Sequence, residues 1–168
     1  MNIYFLGRVF GIAAFVLIFV QMCLGPFMNF WRRVLGGWVL KLHIVIGITA
    51  FVLAWLHPVM WVLVWGWNTV RELGGYVWFG KVGLILITMA AAAGVWRAHP
   101  MVTKYWRWIH RLNYVVFGLI YVHSWKLGTD ASRFPLNVIY YLAPVVLVLA
   151  LINKYLSSNP SPKIGEGN

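Results

Sequence analysis

Five histidines are the residues of this chain best suited to chemistry: His43, His57, His99, His110 and His123. Four of them, all but His99, lie inside long apolar runs, where an ionisable side chain is costly and marks a functional position by default. His43 and His57 are 14 residues apart, and His110 and His123 are 13 apart. On a helix rising 1.5 Å per residue those steps are ~21 Å and ~20 Å. Two parallel helices would therefore present one imidazole each at two matched depths. Any one of these rings alone reads equally well as a neutral group hydrogen-bonded to a neighbouring helix. The matched set points instead to iron ligated from both faces, as in six-coordinate b-type haem. Zinc would need three or four ligands converging on one point. The acidic residues are Glu72, Asp130 and Glu166, none beside a histidine, which excludes a carboxylate-rich site.

The elements that must position these rings are predicted to be transmembrane helices. The 168 residues are 62% apolar and 10% charged, against about 45–50% and about 25% in soluble domains. A soluble core of this size could not hide so much apolar surface. Five runs reach the ~20 residues needed to cross ~30 Å of hydrocarbon: Ile3–Leu24, Val39–Trp65, Val77–Trp96, Arg107–Lys126 and Leu136–Tyr155. The first lacks the small-residue cleavage site of a signal peptide and is read as a retained helix. The expected fold is an all-α integral membrane bundle of about five spans, comprising residues 1–156. Residues 157–168, polar and Pro-rich, read as a disordered tail. No internal repeat is evident.

The second and fourth spans carry the histidine pairs and are separated by one out-and-back passage, so they run parallel. A 14-residue step returns within ~40° of its starting face, but a 13-residue step misses by ~140°. Tilt, a π-bulge or a kink must re-aim one ring, and Pro58, after His57, is one place for it.

The net charge of +11 would suggest nucleic acid in a soluble protein. Here the basic residues sit in short loops, where anionic lipid headgroups are the simpler partner. Nine lie on one face of the expected topology (Arg32, Arg33, Lys41, Arg97, Lys104, Arg107, Arg111, Lys154, Lys163) and five on the other (Arg8, Arg71, Lys81, Lys126, Arg133). The bias places the N-terminus outside and the C-terminus in the cytoplasm of a cell's plasma or inner membrane. Tryptophans such as Trp38, Trp65, Trp78, Trp96 and Trp108 cluster near span ends, as an interfacial belt should. Arg97, Arg107 and Arg111, beside His110, are candidates for haem propionates as well as for membrane anchoring. His99 reads as a loop histidine, Cys23 as a small packing residue, and Phe51 and Phe117, between the two depths, as packing. Gly11, Gly47, Gly83, Gly94 and Gly118 would permit close helix or porphyrin approach.

The stretch from Leu42-His43 through Gly47 to Leu56-His57-Pro58 resembles the first histidine helix of the ferric-reductase-like transmembrane domain. Trp106-Arg107-Trp108-Ile109-His110-Arg111-Leu112-Asn113-Tyr114, ending at His123, resembles that family's second histidine helix, and Gly7-Arg8-Val9-Phe10-Gly11 its preceding helix. The superfamily includes ferric reductases, NADPH oxidases and the haem-binding membrane subunit of a bacterial methionine sulfoxide reductase system. The resemblance implies electron transfer through two b haems, from a cytoplasmic flavin to an acceptor outside. It pairs His43 with His110 at the inner haem and His57 with His123 at the outer one. The 168 residues hold no segment long enough for a flavin or nicotinamide domain, so a flavin-dependent reductase on another chain is the expected donor. The chain is then an electron-transfer subunit of an oxidoreductase, with no nucleophile–base pair or carboxylate pair for bond-making catalysis. Rival readings are a quinone-linked dihaem cytochrome b anchoring a larger complex, and a membrane scaffold without cofactor.

Overall fold

The computed structural model describes residues 2–158 as helices joined by short turns. In chain order these are α1 (Ile3–Leu24), α2 (Met28–Leu35), α3 (Val39–Trp65), α4 (Trp67–Glu72), α5 (Val77–Val95), α6 (Pro100–Thr103), α7 (Trp106–His110), α8 (Leu112–Leu127) and α9 (Leu136–Ser158). No strand occurs among the described residues. Of the expected disordered tail, residues 157–158 continue α9, and 159–168 lie outside the described residues.

Four helices are long and apolar enough to cross a membrane: Ile3–Leu24, Val39–Trp65, Val77–Val95 and α9 over Leu136–Leu156. Their surfaces have the polarity of a protein whose solvent is hydrocarbon. No polar or charged residue is buried among those described, while Val45, Ile48, Leu63 and Ile85 are each about three-fifths exposed (57–62%). Helices suit that solvent because every backbone N–H and C=O is satisfied within the segment.

The remaining expected span, Arg107–Lys126, is not one helix. It is divided into α7 and α8 at Arg111. The Arg111 N–H is shared between the carbonyls of Arg107 (3.1 Å) and Trp108 (3.2 Å), and the Tyr114 N–H bonds Arg111 O at 3.0 Å. Two of these are three-residue turns. Such turns advance about 120° per residue instead of about 100°, which narrows the angular shortfall of the 13-residue histidine step. Pro58 is not the site of the break, for α3 runs through it continuously.

Short turns force successive long helices antiparallel. Gly36 and Gly66 end α2 and α3 at φ +83°, a backbone region open chiefly to glycine. Two tight pairs result, α1 against α3 and α5 against α7 and α8, with α9 packed on α1 and α8. α3 and α8 do not pack along each other. Between the pairs sits an aromatic core: Phe15 stacks on Phe117 at 6.2 Å and on Tyr140 at 4.7 Å between ring centres. Phe117 is fully buried, in line with its reading as packing, and Phe51 packs on the same cluster.

Candidate functional site

The four histidines of the expected second and fourth spans meet in two pairs. His57 from α3 faces His123 from α8, and His43 from α3 faces His110 from α7, with ring centres 6.4 Å apart in both. These separations suit a shared ligand. Two rings bound on opposite sides of one metal through bonds of about 2.0–2.1 Å, with roughly 1.1 Å from nitrogen to ring centre, have centres ~6.3 Å apart, against ~5.2 Å at a tetrahedral angle. Direct hydrogen bonding between the rings is absent.

The backbone orients three of the rings. His57 Nδ1 lies 2.8 Å from Gly7 O, His123 Nδ1 3.0 Å from Tyr76 O, and His110 Nδ1 3.2 Å from Ala90 O. A carbonyl oxygen only accepts, so each Nδ1 carries the proton and donates it. That tautomer leaves the Nε2 lone pair free, the arrangement by which metal-ligating histidines are held. His43 differs: its Nδ1 is the one buried side-chain nitrogen or oxygen without a partner among the described residues. Its backbone carbonyl is taken instead, accepting from Gln21 Nε2 at 2.7 Å.

Each ring is seated on a glycine of the neighbouring helix. A Cβ on Gly11 would lie 2.7 Å from His57 Nδ1, and one on Gly80 2.7 Å from His123 Cε1. On Gly25 it would lie 3.3 Å from His43 Cε1, and on Gly94 3.6 Å from His110 Nδ1. The glycines in each helix pair are 14 residues apart, like His43 and His57. In three cases the accepting carbonyl lies four residues before the seating glycine: Gly7 before Gly11, Tyr76 before Gly80, Ala90 before Gly94. So a repeat does exist: α1 with α3 and α5 with α7–α8 use one pattern twice. Gly25 and Gly80 belong to it as well, Gly25 just beyond the first apolar run and Gly80 near the start of the third. The 14-residue spacing of Gly11 from Gly25 and of Gly80 from Gly94 is the signal that finds them. Gly47 lies beside the Gln21 side chain and Gly83 beside Ile120, while Gly118 faces open space.

A cavity of about 510 Å³ separates the helix pairs at the end where α1 begins, within the ~300–1,000 Å³ range of cofactor sites. His57 and His123 line it with Gly11 and Gly80, among mostly apolar neighbours. It does not extend to His43 and His110. Among the described residues no group of three or more His, Cys, Asp or Glu could hold a metal ion. A metal between either pair would need its other ligands from a non-protein group. A planar tetrapyrrole supplies four, so at the His57–His123 pair the two imidazoles, each with a free Nε2, and the apolar cavity fit a haem.

Arg97 and Arg107 are exposed and Arg111 is half-buried, all at the His110 end. Arg107 lies over the Trp106 ring and Arg111 over Trp108, 5.7 and 4.7 Å from the ring centres. None of the three pairs with a carboxylate among the described residues. His99 caps α6, its Nδ1 accepting from Met101 N–H at 3.4 Å. Trp31 Nε1 donates to Cys23 O, tying α2 to the end of α1. Comparison of the chain with protein-family models, with curated proteins and with solved structures gives no match.

Proposed function

We propose that this chain conducts electrons across a membrane through two b-type haems. His43 and His110 would hold one, and His57 and His123 the other. The observation that carries this reading is the repeated 6.4 Å separation of two imidazole pairs placed on parallel helices. Bis-imidazole haem supplies one-electron transfer and has no open iron position for oxygen.

The chain's own contribution is geometric and dielectric. Carbonyl acceptors at Gly7, Tyr76 and Ala90 fix the tautomer and aim of three ligands. The apolar walls exclude water and lower the local dielectric, one of the factors that set haem potential. Basic residues at the α2 end, including Arg32, Arg33, Arg97, Lys104 and Arg107, would face the cytoplasm by the positive-inside rule. There they would bind propionates of the His43–His110 haem (Arg97, Arg107, Arg111) and dock an acidic, flavin-bearing reductase. The acceptor would lie on the opposite face. The arrangement accords with the resemblance to ferric-reductase-like domains.

The test is a reduced-minus-oxidised spectrum with haem quantitation on the purified chain and on single alanine replacements of the four histidines. Two haems per chain are expected. His57→Ala and His123→Ala should remove the same spectral component, and His43→Ala and His110→Ala the other. A colourless preparation from haem-replete cells would overturn the reading, as would replacements that remove components in any other pairing.

A further inference from the structure

The cavity beside His57 and His123 has a charged rim that ligation of a metal does not explain. Its lining is apolar except for a few groups, and the charged ones are Arg8, Lys81 and Asp130. Asp130 is fully engaged: Arg8 donates to one of its oxygens at 2.6 Å, and Arg133 lies 3.6 Å from the other. Lys81 has no carboxylate partner among the described residues. Its ammonium donates to Arg71 O at 2.7 Å and to Leu73 O at 2.8 Å. The Lys81 ammonium also lies 5.2 Å from the Trp78 ring centre; it has three donors and a guanidinium five, so each cation has more N–H groups than its oxygen partners here occupy. They come from different helix pairs, Arg8 from α1 and Lys81 from α5. Each sits beside a glycine that seats a ring: Arg8 three residues before Gly11, Lys81 next to Gly80.

A cation at the rim of an apolar cavity is placed to bind an anionic group on a ligand held inside, by a charge-assisted hydrogen bond. Two cations facing one cavity from opposite walls suit a flat apolar ligand with carboxylates along one edge. Resting on the haem reading above, we propose that Lys81 and Arg8 bind the carboxylate edge of the macrocycle held by His57 and His123. They would set that edge toward the end of the bundle where α1 begins and α8 ends. Lys81 is the stronger holder, since Arg8 already shares its charge with Asp130.

The test compares haem with its dimethyl ester, which keeps the macrocycle but loses both negative charges. Each is titrated into the full-length, haem-free chain in lipid nanodiscs and followed by absorbance. His110→Ala is used to leave His57 and His123 as the complete pair, with His43→Ala as a second background. Haem should bind roughly tenfold more tightly than the ester, as for a hydrogen bond to a charged group. Lys81→Met should abolish most of that preference, Arg8→Gln part of it, and Lys81→Arg little. Circular dichroism checks that each variant is folded. If folded chain takes up neither haem nor ester, the haem reading itself fails. If it takes up both equally, or if Lys81→Met and Arg8→Gln retain the preference, the assignment of the two cations is overturned while the haem reading stands.

Discussion

The two histidine tiers share one ring separation but are built to different tolerances. At the His57–His123 tier both Nδ1 atoms find carbonyls within 3.0 Å, and both seating glycines leave no room for a methyl group. At the His43–His110 tier one carbonyl bond is longer, at 3.2 Å, and the other is missing. Its glycines leave 3.3 and 3.6 Å. Ring planes are inclined by 86° in the first tier and 69° in the second. The first tier is thus held from behind by backbone on both sides. The second has one ring whose aim depends on the surrounding packing and on the Gln21 side chain. Pre-organised ligands bind with less reorganisation, so the tiers should respond differently to the same chemical insult.

The largest expected contrast is at the seating glycines. Alanine at Gly11 or Gly80 must displace a histidine ring, and overpacking of this kind costs about 1–3 kcal/mol. Haem retention at the His57–His123 tier should fall by at least several-fold in either variant, with the other tier unchanged. Alanine at Gly94 meets nothing closer than 3.6 Å. There the helix propensity gain of about 0.8–1.0 kcal/mol over glycine should leave the chain as stable as before or slightly more so. Thermal melts and haem quantitation on the three variants check the order. Equal loss in all three would erase the distinction between the tiers.

That contrast also marks how much was legible in the sequence. The bounds of α1 and α3 follow from apolar run length and glycine punctuation, and the pairing of His43 with His110 and His57 with His123 from matched depth alone. Depth is readable because a three-residue turn alters the rise by only about 0.5 Å per residue. Azimuth is not, because a single three-residue turn changes it. The break at Arg111 depends on a shared N–H, and no residue type there announces it. Of the four glycine seats, Gly11 and Gly94 stand among the glycines the sequence singles out, while Gly25 and Gly80 do not, for a different reason. Gly25 stands just past the end of α1 and Gly80 near the start of α5, where a glycine first suggests a helix end. Their role emerges only when their spacing is set against that of the histidines.

An intermediate effect is expected at Gln21. Its amide donates to the His43 carbonyl and lies beside Gly47. Gln21→Leu removes that bond at a cost of about 1 kcal/mol, and it loosens the turn of α3 that carries the one ring without an Nδ1 acceptor. The spectrum of the His43–His110 tier should broaden or weaken while that of the other stays put. A change confined to the His57–His123 tier would contradict the assignment of Gln21 to the looser site.

The smallest effect belongs to the rim of the better-held tier, and it carries a pH signature. Arg8, by its hydrogen bond above all, holds the Asp130 carboxyl below the usual carboxylate range. Asp130 lies in the turn between α8 and α9, so the pair ties that turn to the start of α1. A carboxyl with a lowered folded-state pKa stabilises the fold above its unfolded value of about 3.9, and the contribution is lost as pH falls through the folded value. Asp130→Asn should therefore lower the melting temperature slightly at pH 7, and the difference from the unaltered chain should shrink to nothing in acid. High salt should reduce the difference as well, since the pair is partly exposed to solvent. A deficit that persists unchanged at pH 3 would mean that Asp130 acts through packing, and the tie between α1 and the α8–α9 turn would then not be electrostatic.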